Sequence, residues 1–123
     1  MNRNSGIGKT GEQIAADYLK NSGYVIFDMN YSCRFGEIDI IAADNQFVIF
    51  AEVKTRNHNS YAKGREYVTA GKQKKIVTTA MFWLQGHKNI DLQPRFDVVE
   101  IQYSQNDGSF NVEGIEHIPD AFC

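Results

Sequence analysis

Cysteine, histidine and long apolar runs are all scarce in this chain. The two cysteines, Cys33 and Cys123, are far apart and neither belongs to a CxxC pair, which removes zinc-ribbon and thioredoxin-type chemistry and predicts free thiols. The three histidines, His58, His87 and His117, fall in neither HxH nor HExxH spacing, so a histidine-built metal site has no support. No apolar stretch approaches the roughly 20 residues that cross a bilayer. The opening Met1-Asn2-Arg3-Asn4-Ser5-Gly6 also lacks the apolar segment of a secretion signal. A cytoplasmic protein that engages no membrane is expected.

Net charge is small too, at −2, and spread evenly it would offer little to a polyanion. It is not spread evenly. Lys54, Arg56, Lys63, Arg65, Lys72, Lys74 and Lys75 share one stretch whose only acid is Glu66, whereas Asp91, Asp97, Glu100, Asp107, Glu113, Glu116 and Asp120 load the C-terminal third. This bipolar pattern predicts one basic face suited to nucleic acid. With 123 residues, 42% of them hydrophobic and 23% charged, the chain fits a single globular domain over 1–123.

Thr10-Gly11-Glu12-Gln13 has the Thr-x-x-Gln form of a capping box, and Ile14, Ala15, Tyr18 and Leu19 then recur at helical spacing up to Gly23. A first helix is therefore expected to begin at Thr10, with Glu12 in its first turn. Gly6-Ile7-Gly8-Lys9-Thr10 ends like a phosphate-binding loop, but Arg3 stands where its first glycine belongs and no strand precedes it. It reads as helix-entry sequence. Residues 24–29 are β-branched and aromatic enough for a strand, and 36–43 and 46–55 read as two more, joined at Asp44-Asn45 as a hairpin.

Residues 57–71 are polar, basic and glycine-punctuated, as in a loop or arm. Over 72–85, Ile76, Thr79, Ala80, Trp83 and Leu84 line one side of a second helix ended by Gly86. Lys72, Lys74 and Lys75 crowd its first turn against the helix dipole, a conflict that a phosphate would relieve. The bland alternative is a solvated charged turn. A strand over 95–103 and a short edge strand over 110–112, after Asn106-Asp107-Gly108, complete the order αβββαββ. The expected fold class is α/β, one mixed sheet flanked by two helices.

Side chains alternate across a strand, so Glu52 and Lys54 share a face with Val53 pointing to the other. Whether the hairpin turns at Asp44-Asn45 or at Asn45-Gln46, Asp39 opposes Phe50 or Glu52 and its carboxylate emerges on the Glu52/Lys54 face. Two carboxylates so close repel, and one shifts toward protonation unless a cation lies between them. A hard divalent ion, Mg2+ or Mn2+, takes one or two carboxylates plus waters and a substrate phosphate. Bound there, it would polarise a scissile phosphodiester and activate water. The Val53 carbonyl, between the two side chains, is a third candidate ligand. Lys54 is placed to position the attacking water or to offset charge on the phosphoryl oxygens, and Glu12 is a further candidate acid. The same acid-acid-lysine set also occurs on ordinary hairpins. A glycosidase-like pair of Asp39 and Glu52 fits the spacing as well, although nothing else in the sequence suggests a sugar cleft.

Several blocks occur together and in order: Gly11-Glu12 with Ala15-Ala16-x-Tyr18-Leu19, Gly36-Glu37-Ile38-Asp39-Ile40-Ile41, Ala51-Glu52-Val53-Lys54-Thr55-Arg56, Lys72-Gln73, Arg95-Phe96-Asp97-Val98-Val99 and His117-Ile118-x-x-Ala121-Phe122. In this the chain resembles the small bacterial YraN-like family, which is grouped with the PD-(D/E)xK nucleases and is similar in its core to archaeal Holliday-junction resolvases. The resemblance implies a restriction-endonuclease-like core with Asp39 as the motif aspartate, Glu52 and Lys54 as the (D/E)xK pair and Glu12 as the helix-borne acid. Lys72 and Gln73 match the family's second-helix position, where a polar side chain approaches the site. No proline precedes Asp39, and Ala51 stands in place of a bulkier apolar residue; neither departure removes a ligand.

Three functions fit the sequence. The first is a Mg2+- or Mn2+-dependent endonuclease acting on structured DNA, with a branched intermediate as one candidate. The second is a nucleic-acid-binding protein of the same fold with little or no catalysis. The third is a protein-interaction domain whose acids bind metal for stability. For the first two, Arg56, Lys63, Arg65, Lys72, Gln73, Lys74 and Lys75 are the expected nucleic-acid contacts, and a homodimer is a candidate assembly.

Overall fold

The computed structural model describes residues 4–57 and 68–122, with side chains from Lys9 onward. Seven elements follow in the expected order: helix α1 (Asn4–Asn21), strands β1 (Val25–Cys33), β2 (Gly36–Ala43) and β3 (Phe47–Asn57), helix α2 (Ala70–Gln85), then strands β4 (Gln93–Asn106) and β5 (Ser109–Ile118). The strands form one sheet in chain order. β3 and β4 are parallel and the other neighbours antiparallel, which places α2 on the crossover that a parallel pair requires.

Strand alternation sorts the core into two layers. On one face α1 packs Ala15, Ala16 and Leu19 with Ile40, Ala42, Ile49, Ala51, Val99 and Ile101. On the other, α2 packs Ile76, Ala80 and Trp83 with Ile41, Val48, Phe50, Phe96 and Val98. The central strand β3 therefore reads as a continuous apolar run from Val48 to Ala51, because both of its faces are covered. Each such large side chain contributes about 1.5–3 kcal/mol on burial. Phe50 meets Trp83 edge-on at 5.8 Å and stacks on Phe96 at 5.6 Å.

Asp44 sets the hairpin register. Its Oδ1 accepts the N–H groups of Gln46 (2.8 Å) and Phe47 (2.7 Å), and its own N–H donates to the Phe47 carbonyl at 3.0 Å. The turn is thus Asn45-Gln46, with Ala43 opposite Val48 and Ile40 opposite Ala51. Continued by one step, that register sets Asp39 against Glu52.

Two glycines govern how closely the helices approach this hairpin. A Cβ on Gly11 would collide with Cγ2 of Thr55, so glycine lets α1 lie directly on β3. A Cβ on Gly36 would come within 3.1 Å of Thr79 Oγ1 and 3.6 Å of Lys75 Cβ, so the start of β2 lies close against α2.

Three sequence expectations are corrected. α1 starts at Asn4, so Thr10 is interior and Glu12 lies beyond the first turn; the glycines that precede Thr10 cost a helix only about 1 kcal/mol each and do not stop it. β1 continues to Cys33 by pairing with Gly36 and its neighbours on β2. β5 is not a short piece over 110–112 but spans Ser109–Ile118, pairing along β4 from Asn106 back to Val98. Its polar, exposed residues suit an edge strand and conceal it from an apolar-pattern reading.

Candidate active site

The β2–β3 ladder ends at Ile40 and Ala51. Just past it, Asp39 Oδ2 accepts the backbone N–H of Val53 at 2.8 Å. A side chain thus satisfies a strand N–H beyond the last pair, and the carboxylate is fixed where β2 and β3 part. Burial, and then the charge of Glu52, push the Asp39 carboxyl from its ordinary 3.8 up to about 7; Glu12 adds to the shift, while the Val53 N–H and Lys72 oppose it.

Glu52 is 6% exposed, and its Oε2 meets Lys72 Nζ at 2.5 Å. Lys72 reaches it from the first turn of α2, where Thr69 caps the helix with φ −65° and ψ 160° and accepts the Lys72 N–H at 3.2 Å. Burial is the largest influence on the Lys72 ammonium and disfavours it, but the hydrogen bond to Glu52 together with the charges of Glu52, Asp39 and Glu37 holds the group above its ordinary value. Because α2 begins at Ala70 and not at Lys72, only Lys72 of the three lysines lies in its first turn, and a carboxylate meets that charge. Lys54 lies on the Glu52 face, opposite Glu100 in the β3–β4 register. Among the described residues it pairs with neither site carboxylate.

Glu12 approaches from the α1 side, close enough for its charge to act on Asp39, which the contact at Gly11 and the parting of β2 from β3 allow. Arg56 Nε is 3.7 Å from Glu100 Oε2. Gln73 turns away, donating its amide to the Val68 carbonyl at 2.8 Å. Lys74 and Lys75 are exposed, and Lys75 joins Lys72, Gly36 and Glu37 around a cleft of about 580 Å³. Lys63 and Arg65 lie outside the described residues, as does Cys123, while Cys33 is a free thiol.

Among the described residues no three of His, Cys, Asp and Glu gather as a metal cluster. The donor set is a pair, Asp39 and Glu52. Hard carboxylate oxygens suit Mg2+ or Mn2+, which complete their shells with water and phosphate.

The family model of the uncharacterised protein family UPF0102 matches residues 11–101. The chain belongs to that family. UPF0102 proteins of Geobacter metallireducens (40% identical, covering 97% of this chain and 93% of the relative), of the Loch Maree strain of Clostridium botulinum (43%, covering 93% and 94%) and of Syntrophus aciditrophicus (44%, covering 99% and 92%) are similar to it over nearly their whole lengths. The YraN-like resemblance and the UPF0102 match are one assignment, and the matched segment contains Glu12, Asp39, Glu52, Lys54 and Lys72.

This UPF0102 protein also carries a buried polar network that sequence reasoning missed. Asp97, fully buried, accepts from Arg95 Nε (2.9 Å) and a terminal Arg95 nitrogen (2.7 Å), pairs with His117 Nε2 at 2.7 Å, and takes the Asp120 N–H at 3.1 Å. Arg95 further donates to the Tyr24 hydroxyl at 2.7 Å, and Tyr18 meets His117 Nδ1 at 3.3 Å. Burial alone would raise the Asp97 carboxyl, but the Arg95 and His117 bonds outweigh it and hold it below its ordinary value. The Arg-x-Asp spacing on one strand face was the only readable sign. Glu100, 5% exposed and bonded to Gln102 at 2.8 Å, is a further buried acid on the Lys54 face.

Proposed function

We propose that this protein is a divalent-metal-dependent endonuclease that hydrolyses phosphodiester bonds in structured DNA, branched DNA included, with Mg2+ or Mn2+ as cofactor. The observation that carries the reading is the Asp39–Val53 hydrogen bond, which fixes one carboxylate beside another on the face that bears Lys54. Asp39 and Glu52 would hold the ion, with the Val53 carbonyl as an added ligand. When bound, the ion polarises the scissile phosphate and lowers the pKa of water. The chain's own residues do the rest. Lys54 orients the attacking water and offsets charge that builds on the phosphoryl oxygens. Lys72 holds Glu52 in the free protein and exchanges that partner for substrate phosphate. Arg56, Lys74 and Lys75, with Lys63 and Arg65, attract the polyanion.

The test is cleavage of linear, single-stranded and branched DNA with Mg2+ or Mn2+. Metal-dependent cleavage lost in Asp39→Asn supports the reading, and no cleavage of any substrate overturns it. One observation favours a second reading. The Lys72–Glu52 pair already neutralises a site carboxylate, as expected of a nuclease-fold protein that binds nucleic acid without cutting it. DNA binding with no cleavage in the same assay would select that alternative.

A further inference from the structure

The turn between β1 and β2 presents Arg34 and Phe35, and α2 presents Met81 and Phe82 beside it. Arg34 Cζ lies 4.9 Å from the centroid of the Phe35 ring, and Phe35 meets Phe82 edge-on at 5.5 Å and 63°. These are core-type side chains at the surface: Phe82 is 40% and Met81 54% exposed. With Arg34, Thr78 and Gln85 they line a cavity of about 240 Å³. The helix that carries them has three lysines and no acid.

We infer that this cluster is a stacking subsite for a nucleobase on an unpaired strand near the scissile phosphate, an inference that rests on the nuclease reading of the Asp39/Glu52 site. Two independent routes give the same separation. From Phe35 to Asp39 along β2 is about 13 Å at ~3.3 Å per residue. From Lys72, which touches Glu52, to Phe82 along α2 is about 15 Å at ~1.5 Å per residue. A fully stacked strand advances ~3.4 Å per nucleotide and an extended one more, so the subsite lies up to about four nucleotides from the carboxylates. The cleft of about 580 Å³ lies along the interval, and of the charged residues on its wall, Glu37, Lys72 and Lys75, the two lysines would meet the intervening phosphates.

The chemistry selects a base over other occupants. An exposed aromatic with a guanidinium on a neighbouring ring offers a π-face and a cation, the pair that unpaired strands use without sequence preference. A second copy of the chain is the competing occupant, and the sedimentation arm of the test below separates it from a base. Paired bases are inside the duplex stack and out of reach. The substrate class is therefore DNA with an unpaired strand beside the cleaved position, such as a fork, a flap or an opened junction.

The experiment measures binding, without divalent ions, of a forked duplex carrying 2-aminopurine about four nucleotides into one arm, with a fully paired duplex as control. Wild type, Phe82→Ala, Phe82→Leu and Phe82→Trp are compared. Phe82→Leu keeps apolar volume, and thermal melts confirm folding. The expected result is that Phe82→Ala and Phe82→Leu bind the fork about tenfold or more weakly and lose the 2-aminopurine quench, as for one lost stack. Duplex binding stays unchanged, and Phe82→Trp restores the fork. If wild type binds both DNAs and Phe82→Leu changes neither, the subsite is overturned while the nuclease reading stands. If wild type binds no DNA either without divalent ions or with Mg2+, both fall. If sedimentation shows a dimer that Phe82→Ala dissociates, with fork and duplex affinity falling together, the cluster is a subunit contact and the inference fails.

Discussion

Lys72 bonds Glu52 across the gap between α2 and β3, so one carboxylate offered to a divalent ion is already held by an ammonium. Removing that competitor should strengthen metal binding. Calorimetry at pH 8 is expected to show Mn2+ bound several-fold more tightly by Lys72→Ala than by wild type. Unchanged affinity would mean that the ion does not compete with Lys72 for Glu52.

Asp39 gives the fold a pH dependence of the opposite sign to that of most carboxylates. Its folded pKa of about 7 lies above the ordinary 3.8, so over that range the folded chain holds a proton that the unfolded chain releases. The stabilisation is full below about 3.8 and is lost as pH rises through about 7. In the presence of chelator, urea midpoints should fall over that window for wild type and stay level for Asp39→Asn. Mn2+ should restore stability above pH 7. A wild-type midpoint as level as that of Asp39→Asn would contradict the assignment.

Asp97 works in the usual direction. Its carboxyl is held below the ordinary 3.8 because the Arg95 and His117 bonds outweigh burial, so its stabilisation is present above about 3.8 and lost as pH falls further. Asp97→Asn leaves Arg95 without its anion and should cost about 3–5 kcal/mol, read from urea unfolding. A loss below about 1 kcal/mol would show that the network is not an anchor.

The hairpin was the most legible part of the chain, because strand parity alone put Asp39 on the Glu52/Lys54 face for either turn. Element order was legible from apolar periodicity and turn residues. The start of α1 was not, since Thr10-x-x-Gln13 mimics a cap that the helix runs through. Lys72 could be placed on the first turn of α2, but its bond to Glu52 depends on where the helix docks against β3. The Asp97 network joins residues from α1, β4 and β5, and no local pattern links Tyr18 or Tyr24 to His117. Phe35 and Phe82 were hidden for a different reason: an exposed aromatic looks in sequence like a buried one.

Lys74 and Lys75 should act through phosphate. Lys74→Ala with Lys75→Ala is expected to weaken DNA binding and to flatten its dependence on salt by up to about two, roughly one per lost phosphate contact. Titration of labelled DNA across a salt series measures the slope. An unaltered slope would place both lysines off the DNA path.

The most direct measurement is single-turnover cleavage of branched DNA with Mn2+ by wild type, Asp39→Asn and Lys54→Ala, alongside calorimetry of Mn2+ with the same three proteins. The expected result is that wild type cleaves, and that Asp39→Asn loses both metal and cleavage while its DNA binding survives. Lys54→Ala should bind metal nearly as wild type does and cleave at least about 100-fold more slowly, because its ammonium acts on the transition state and makes no metal bond. Equal Mn2+ binding by wild type and Asp39→Asn, or cleavage that neither substitution alters, would contradict a metal-dependent nuclease site at Asp39 and Glu52.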